Sequence, residues 1–266
     1  MSPGSSRAPP RATRFEIPVD TRAPTGTTNA YLVDGLLVDP AAETDALDAA
    51  IEAEDVDAIA VTHTHPDHVG AVTAYADRTG AGVYAHAEHA DRFGTATGVD
   101  PDATFRDGDR LGSTGVHALH TPGHAPDHVA FAFGGGSNAP GELLCGDLAV
   151  ATGSVVVGTP EGDVADYLAS LERVRDAGYD RLHPGHGSVI DDPKSACQRL
   201  IDHRLKREEA VLAAVENGAT DVDGVLAAAY DKDLSGVEGL ARATVRAHLE
   251  KLVADGRIDE SWIEQA

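Results

Sequence analysis

Cysteine is nearly missing from this 266-residue chain, which has only Cys145 and Cys197. Two cysteines make no disulfide framework and no Cys-x-x-Cys zinc site. Cys145 lies in the apolar run Glu142-Leu-Leu-Cys145, where a small core residue is expected rather than a nucleophile. No run approaches the roughly 18 apolar residues that span a bilayer, and residues 1–10 have no apolar core of a signal peptide. The expected location is therefore the cytoplasm, with no membrane partner and a disordered tail over residues 1–13. The Gly-rich stretch from Gly134 to Gly141 has no lysine and is no phosphate cradle.

Lysine is also scarce. Lys194, Lys206, Lys232 and Lys251 are the four among 21 basic residues, against 44 Asp plus Glu, for a formal net charge of −23. An acidic, lysine-poor surface of this kind reads as halophilic, because dense charge keeps a surface hydrated at high salt. At low salt the same charge repels itself and destabilises the fold.

What the chain does have is a concentration of metal-binding side chains. Thr62-His63-Thr64-His65-Pro66-Asp67-His68 places four of them within six residues. The apolar, β-branched run Asp57-Ala-Ile-Ala-Val-Thr62 before it reads as a buried strand, and residues 69–77 read as a helix. The cluster thus leaves the C-terminal end of a strand, where open α/β sheets bind their ligands. In an extended loop, residues two apart point the same way, so His63 and His65 reach one ion together. Pro66 turns the chain and re-aims Asp67 and His68. Imidazole and carboxylate suit zinc, or manganese and iron where oxygen donors dominate. Further donors follow short apolar runs: His124 in Thr121-Pro-Gly-His124, Asp147 after Gly146, and His186 in His183-Pro-Gly-His186.

The series His63-x-His65-x-Asp67-His68, His124, Asp147, His186 resembles the metallo-β-lactamase superfamily. The resemblance spans residues 29–187 and implies an α/β fold, an αββα sandwich with a two-metal site. It implies that His63, His65 and His124 hold one metal and Asp67, His68 and His186 the other, with Asp147 and a water between them. Asp39 matches the acid that ends an early strand, although Pro-Ala-Ala follows it here instead of Thr/Ser-Gly. The implied chemistry is hydrolysis by a water made reactive between two zinc ions, or manganese or iron, about 3.5–4 Å apart. Asp67 and Asp147 are the candidate catalytic carboxylates. His128, which opens the next apparent strand, is a third candidate, placed to hydrogen-bond substrate or a metal ligand.

Other histidines read more plainly. His86 and His89 are expected at the surface or rim, with a third metal site as the less favoured alternative. His117 and His120 read as sheet or rim residues. Asp34-Gly35, between two apolar runs, is a strong type I′ hairpin signal. Helical spacing is expected over residues 41–54, 164–177, 196–217, 220–230 and 237–254. A catalytic domain is expected over residues 14–193 and a smaller helical domain over 194–266. Three helices followed by a short strand near Arg257–Ile263 resemble a winged-helix module. With the catalytic core, they resemble the branch of the superfamily that contains beta-lactamase-like protein 2 and glyoxalase II-like enzymes. Residues 195–266 carry nine Lys/Arg against fourteen Asp/Glu, a net of −5 (9 − 14), which disfavours duplex nucleic acid. Arg242, Arg246 and Lys251 remain as one expected basic face.

The candidate substrates are a small-molecule ester or thioester, or single-stranded RNA, and a second copy of the chain is the candidate protein partner. The resembled branch includes single-strand endoribonuclease activity, so a nuclease or a nucleic-acid-binding protein is the alternative to a thioesterase. Oxidation chemistry on a similar scaffold, as in persulfide dioxygenases, would use a single iron.

Overall fold

A computed structural model describes residues 11–136, 141–230 and 234–264. Most of the expected tail and the tip of the 134–141 loop lie outside these residues. Strands β1 (Thr13–Pro18), β2 (Thr27–Val33) and β3 (Leu36–Val38) form an antiparallel meander. Asp34 and Gly35 join β2 to β3, with φ of 47° and 81°, the positive pair that a type I′ turn requires. Helix α1 (Asp45–Ala53) leads to β4 (Ala58–Ala60). Next come α2 (Pro66–Val69), α3 (Val72–Thr79), β5 (Gly82–His86), α4 (Ala90–Thr97) and β6 (Ala103–Phe105). From β3 to β6 the pairing is parallel, and the sheet runs β1 to β6 in sequence order. Strand β6 had no legible sequence signal; three residues are too few to show a period.

The second sheet has the order β10-β9-β8-β7. It contains β7 (His117–His120), β8 (Val129–Phe133), β9 (Glu142–Gly146) and, after α5 (Val164–Ala177), β10 (Arg181–Pro184).

The alternation of side chains along each strand builds the layers. Tyr31, Val33, Leu36, Val38, Ala58 and Ala60 meet Val129, Phe131, Phe133 and Leu144 between the sheets. Their strand neighbours Leu32, Leu37 and Ile59 face the other way, onto Leu47 of α1 and Val72 and Tyr75 of α3. On the far side, Ala130, Leu143 and Cys145 face Tyr167, Leu171 and Val174 of α5. Burial on both faces explains why these strands read as continuous apolar runs. The result is the expected αββα sandwich, and Cys145 is a buried core residue in it.

Beyond β10 the described chain is helical: α6 (Pro193–Glu216), α7 (Val222–Ala229), α8 (Glu238–Ala254) and α9 (Ser261–Glu264). Asp192 and Asp221 cap α6 and α7 by accepting from the N–H groups of Ser195 and Gly224. The first half of α6, through Cys197, Leu200 and Ile201, packs into the sandwich. Its second half joins Val225, Val245, Leu249 and Leu252 in a separate core. One helix thus serves both the sandwich and the C-terminal helical region. Two expectations are corrected here. The strand expected near 257–263 is the short helix α9, so no wing follows α8 among the described residues. Asp259 Oδ1 accepts from the Ser261 N–H at 3.0 Å and starts that turn, while Ile258 and Trp262 lie against the helical core. Two of the three residues of the expected basic face, Arg242 and Lys251, are taken up in ion pairs. Arg242 pairs with Asp223, and Lys251 lies 3.1 Å from Glu208 and 2.7 Å from Asp255.

Candidate metal centre

The candidate ligands leave the C-terminal ends of four strands at one edge of the sandwich. His63 and His65 follow β4, and Asp67 and His68 lie on the single turn of α2, which Pro66 opens. His124 follows β7, Asp147 directly follows β9, and His186 follows β10. All seven come together. One donor atom each of His63, His65 and His124 lies within 4.8 Å of the others, and the same holds for Asp67, His68 and His186, and for His63, His68 and Asp147, an imidazole nitrogen from each His and a carboxylate oxygen from each Asp. Asp147 Oδ2 is 3.7 Å from His124 Nε2 and 3.4 Å from His186 Nε2, so it stands between the two triads.

Each imidazole is anchored on its outer side, which fixes its tautomer. His65 Nε2 donates to Glu161 Oε2 (2.9 Å), His124 Nδ1 to the Val156 carbonyl (2.7 Å) and His186 Nδ1 to the Thr27 carbonyl (2.8 Å). His68 Nδ1 donates to Asp39 Oδ2 (3.0 Å). His63 Nδ1 donates to Thr62 Oγ1 (3.1 Å), whose own proton goes to Asp39. With the outer nitrogens of His63, His65 and His124 protonated, their inner ones present bare lone pairs. His65 Nδ1 lies 2.9 Å from His63 Nε2 and 3.1 Å from His124 Nε2. Three lone pairs at this separation repel one another unless a cation lies among them, so the residues fit a metal. The second triad fits for a related reason: His68 Nε2 and Asp147 Oδ1 are buried with no hydrogen-bond partner among the described residues.

Electrostatics divides the two triads. Burial, then the neighbouring imidazoles, holds His63 well below its ordinary value, and burial also holds His124 down. Burial opposes a charge on His68 as well, but Asp39, then Asp147 and Asp67, outweigh it and push the ring up to about 9. A pocket that draws a proton to His68 draws a metal cation by the same field. Burial resists ionisation of Asp147, yet His186, His68 and His124 hold its carboxyl far below the carboxylate range.

His128 does not face the donors. It is fully buried, with Nδ1 donating to the Thr121 carbonyl at 2.9 Å and Nε2 accepting from the Asp147 N–H at 3.1 Å. Burial, then His124, lowers it to about 3, so the ring stays neutral. Two glycines permit the close approach. At Gly146, whose φ is +49°, a Cβ would meet His128 Nε2 at 2.7 Å; at Gly185, one would meet Asp147 Oδ1 at 2.6 Å.

Several supporting residues were not among the candidates the sequence singles out. Arg92 on α4 donates to Thr64 Oγ1 (2.7 Å) and to Glu161 Oε2 (2.8 Å), and lies 3.2 Å from Asp127. Asp127 accepts from the Thr64 N–H at 3.0 Å. Thr21 donates to Asp67 Oδ2 at 2.5 Å. Asp127 lies between the candidates His124 and His128, a signal that was available; Glu161 sits in the segment between β9 and α5, which carries no such marker.

Residues 23–186 match the family model of the metallo-beta-lactamase superfamily. A beta-lactamase-like protein 2 homolog from Drosophila melanogaster is 29% identical over 222 residues, 78% of this chain and 72% of its own. An atrochrysone carboxyl ACP thioesterase from Aspergillus fumigatus is 31% identical over 208 residues, 71% of this chain and 60% of its own length. A solved structure of a protein in a di-iron-bound form is 31% identical, with TM-score 0.53, covering 68% of this chain and 96% of the other. No helix among the described residues is long and apolar enough to cross a membrane. The fold, the donor set and the match over residues 23–186 lead to one assignment: the chain belongs to the metallo-β-lactamase superfamily of metal-dependent hydrolases.

Proposed function

We propose that this chain is a dinuclear hydrolase acting on a thioester of a small acyl group. The observation that carries the reading is the position of Asp147, whose carboxylate lies 3.4 Å from His186 Nε2 of one triad and 3.7 Å from His124 Nε2 of the other. The di-iron form of a relative supports two ions, and the thioesterase relative supports the substrate class. Zinc is the first choice for the imidazole-rich triad of His63, His65 and His124, with iron or manganese for the triad that includes Asp67. Two such cations supply Lewis acidity, polarising a carbonyl oxygen and acidifying water.

The chain's own residues do the rest. Asp147, ionised and buried, fixes the separation of the two triads. Asp67, held by Thr21, accepts a proton from the attacking water and returns it to the thiolate sulfur as the acyl–sulfur bond breaks. His128 acts through the Asp147 main chain and is a positioning residue. The loop bearing Val156, which is 39% exposed, walls the cleft beside His124.

The test is metal analysis together with turnover of an acylated thiol and of a labelled single-stranded RNA. Two ions per chain and thioester turnover, both lost in His65→Ala and Asp147→Ala proteins that remain folded, are the expected result. Cleavage of the RNA and not the thioester would replace the substrate class with the nuclease reading. Unchanged thioester turnover in both variants would reject the site.

A further inference from the structure

Three histidines that the centre does not use converge beside it. His86 ends β5 of the first sheet, His89 immediately precedes α4, and His120 ends β7 of the second sheet. The turn that brings His89 back over β5 is closed by its N–H donating to the His86 carbonyl at 2.9 Å. His120 is fixed from another side, its N–H donating to Asp107 Oδ1 at 2.8 Å. One donor atom from each of the three rings lies within 4.8 Å of the other two. The His86 and His120 rings stack 4.5 Å apart, and the His89 ring centroid is 5.4 Å from that of His86.

A stacked pair of neutral rings explains part of this arrangement, but it leaves His120 Nε2 buried with no hydrogen-bond partner among the described residues. The His86 ring takes a long hydrogen bond, 3.4 Å from the Glu88 N–H to Nδ1. Burial, then His120 and His89, keeps His86 below its ordinary value and so in the neutral form that ligates metals. Arg106 lies on the same side and opposes a cation, but Glu88 pairs with it at 2.9 Å.

We infer that His86, His89 and His120 form a third metal site, separate from the dinuclear centre, that takes one borderline divalent cation of the zinc, nickel or copper class. Three imidazoles with no thiolate or carboxylate among them favour these ions over magnesium and calcium. A fourth position stays open to water, since His89 and His120 are only half-buried. The ion would staple the rim of one sheet to the other. It would also fix the start of α4, the helix whose Arg92 holds Glu161 against His65. The site therefore stabilises the surroundings of the centre without belonging to it.

Full-length protein, stripped with a chelator and titrated with zinc or nickel, tests this by metal counted per chain. Wild-type protein should retain one ion more than the His89→Ala and His120→Gln variants, both checked for fold by circular dichroism. The same difference should persist in an Asp147→Ala background, so a failed dinuclear reading would not mask it. The wild type should also show a metal-dependent rise in Tm that both variants lose in part. Equal metal content in wild type and both variants would overturn the site.

Discussion

Asp39 Oδ2 lies 3.0 Å from His68 Nδ1 and turns that ring so that Nε2 faces Asp147. Asp39 takes this position with φ of +53°, a backbone state that costs most residues but that Asp tolerates. Its other oxygen accepts from the Thr62 N–H at 2.6 Å, so one carboxylate sets both the strand end and the ligand. Asp39→Ala should lower affinity for the second metal by about 10–100-fold, as loss of a ligand's supporting carboxylate does. Metal titration of the variant would read this as one weakened ion, with the first still tight.

Glu161 plays the corresponding part for His65, and Arg92 in turn holds Glu161. Glu161→Ala should weaken the ion held by His63, His65 and His124 by about tenfold or more. Glu161→Gln should restore most of that, because its amide oxygen still accepts from His65 Nε2. A metal-affinity series over wild type and the two variants separates orientation of the ring from charge; equal affinities would show that Glu161 does neither.

His248 of α8 gives a pH prediction independent of the metals. It is fully buried, and neither ring nitrogen has a partner among the described residues. Burial, then Arg204, Arg207 and Lys251, lowers it to about 3 from 6.5. Between these values the unfolded chain binds a proton at this site that the folded chain does not, so stability falls as pH drops from 6.5 towards 3. At about 1.4 kcal/mol per pH unit, the loss reaches several kcal/mol. Denaturant unfolding at several pH values should show a shallower slope in His248→Leu than in wild type across this window.

The formal charge of −23 predicts a salt response. Raising KCl from roughly 0.1 M to 1 M shortens the screening length from about 10 Å to about 3 Å and relieves repulsion among exposed carboxylates. Tm should therefore rise over this range. A flat or falling Tm would mean that the acidic surface is ordinary solubility rather than adaptation to salt.

Much of the centre was legible because its donors are chemically distinctive and each follows a short apolar run. The hairpin at Asp34-Gly35 and helix α5 were legible because turn chemistry and 3.6-residue spacing are local properties. The tail beyond α8 misled. Arg257 to Ile263 has the composition of a strand, but the Asp259 cap and the packing of Trp262 on the helical core make a helix.

By itself, then, the sequence determined the acidic composition, the apolar runs that build two sheets, and the identity and order of seven candidate donors. Only the tertiary structure decided which acceptor fixes each imidazole, since Glu161 is 96 residues from His65 and Thr27 is 159 from His186. It also decided that His128 serves the Asp147 main chain, and that His86 and His120, from two different sheets, share one place with His89, from the turn before α4. The physical reason is that a ligand type is written in the side chain, whereas the direction of its lone pair is set by partners that meet it only when the layers close.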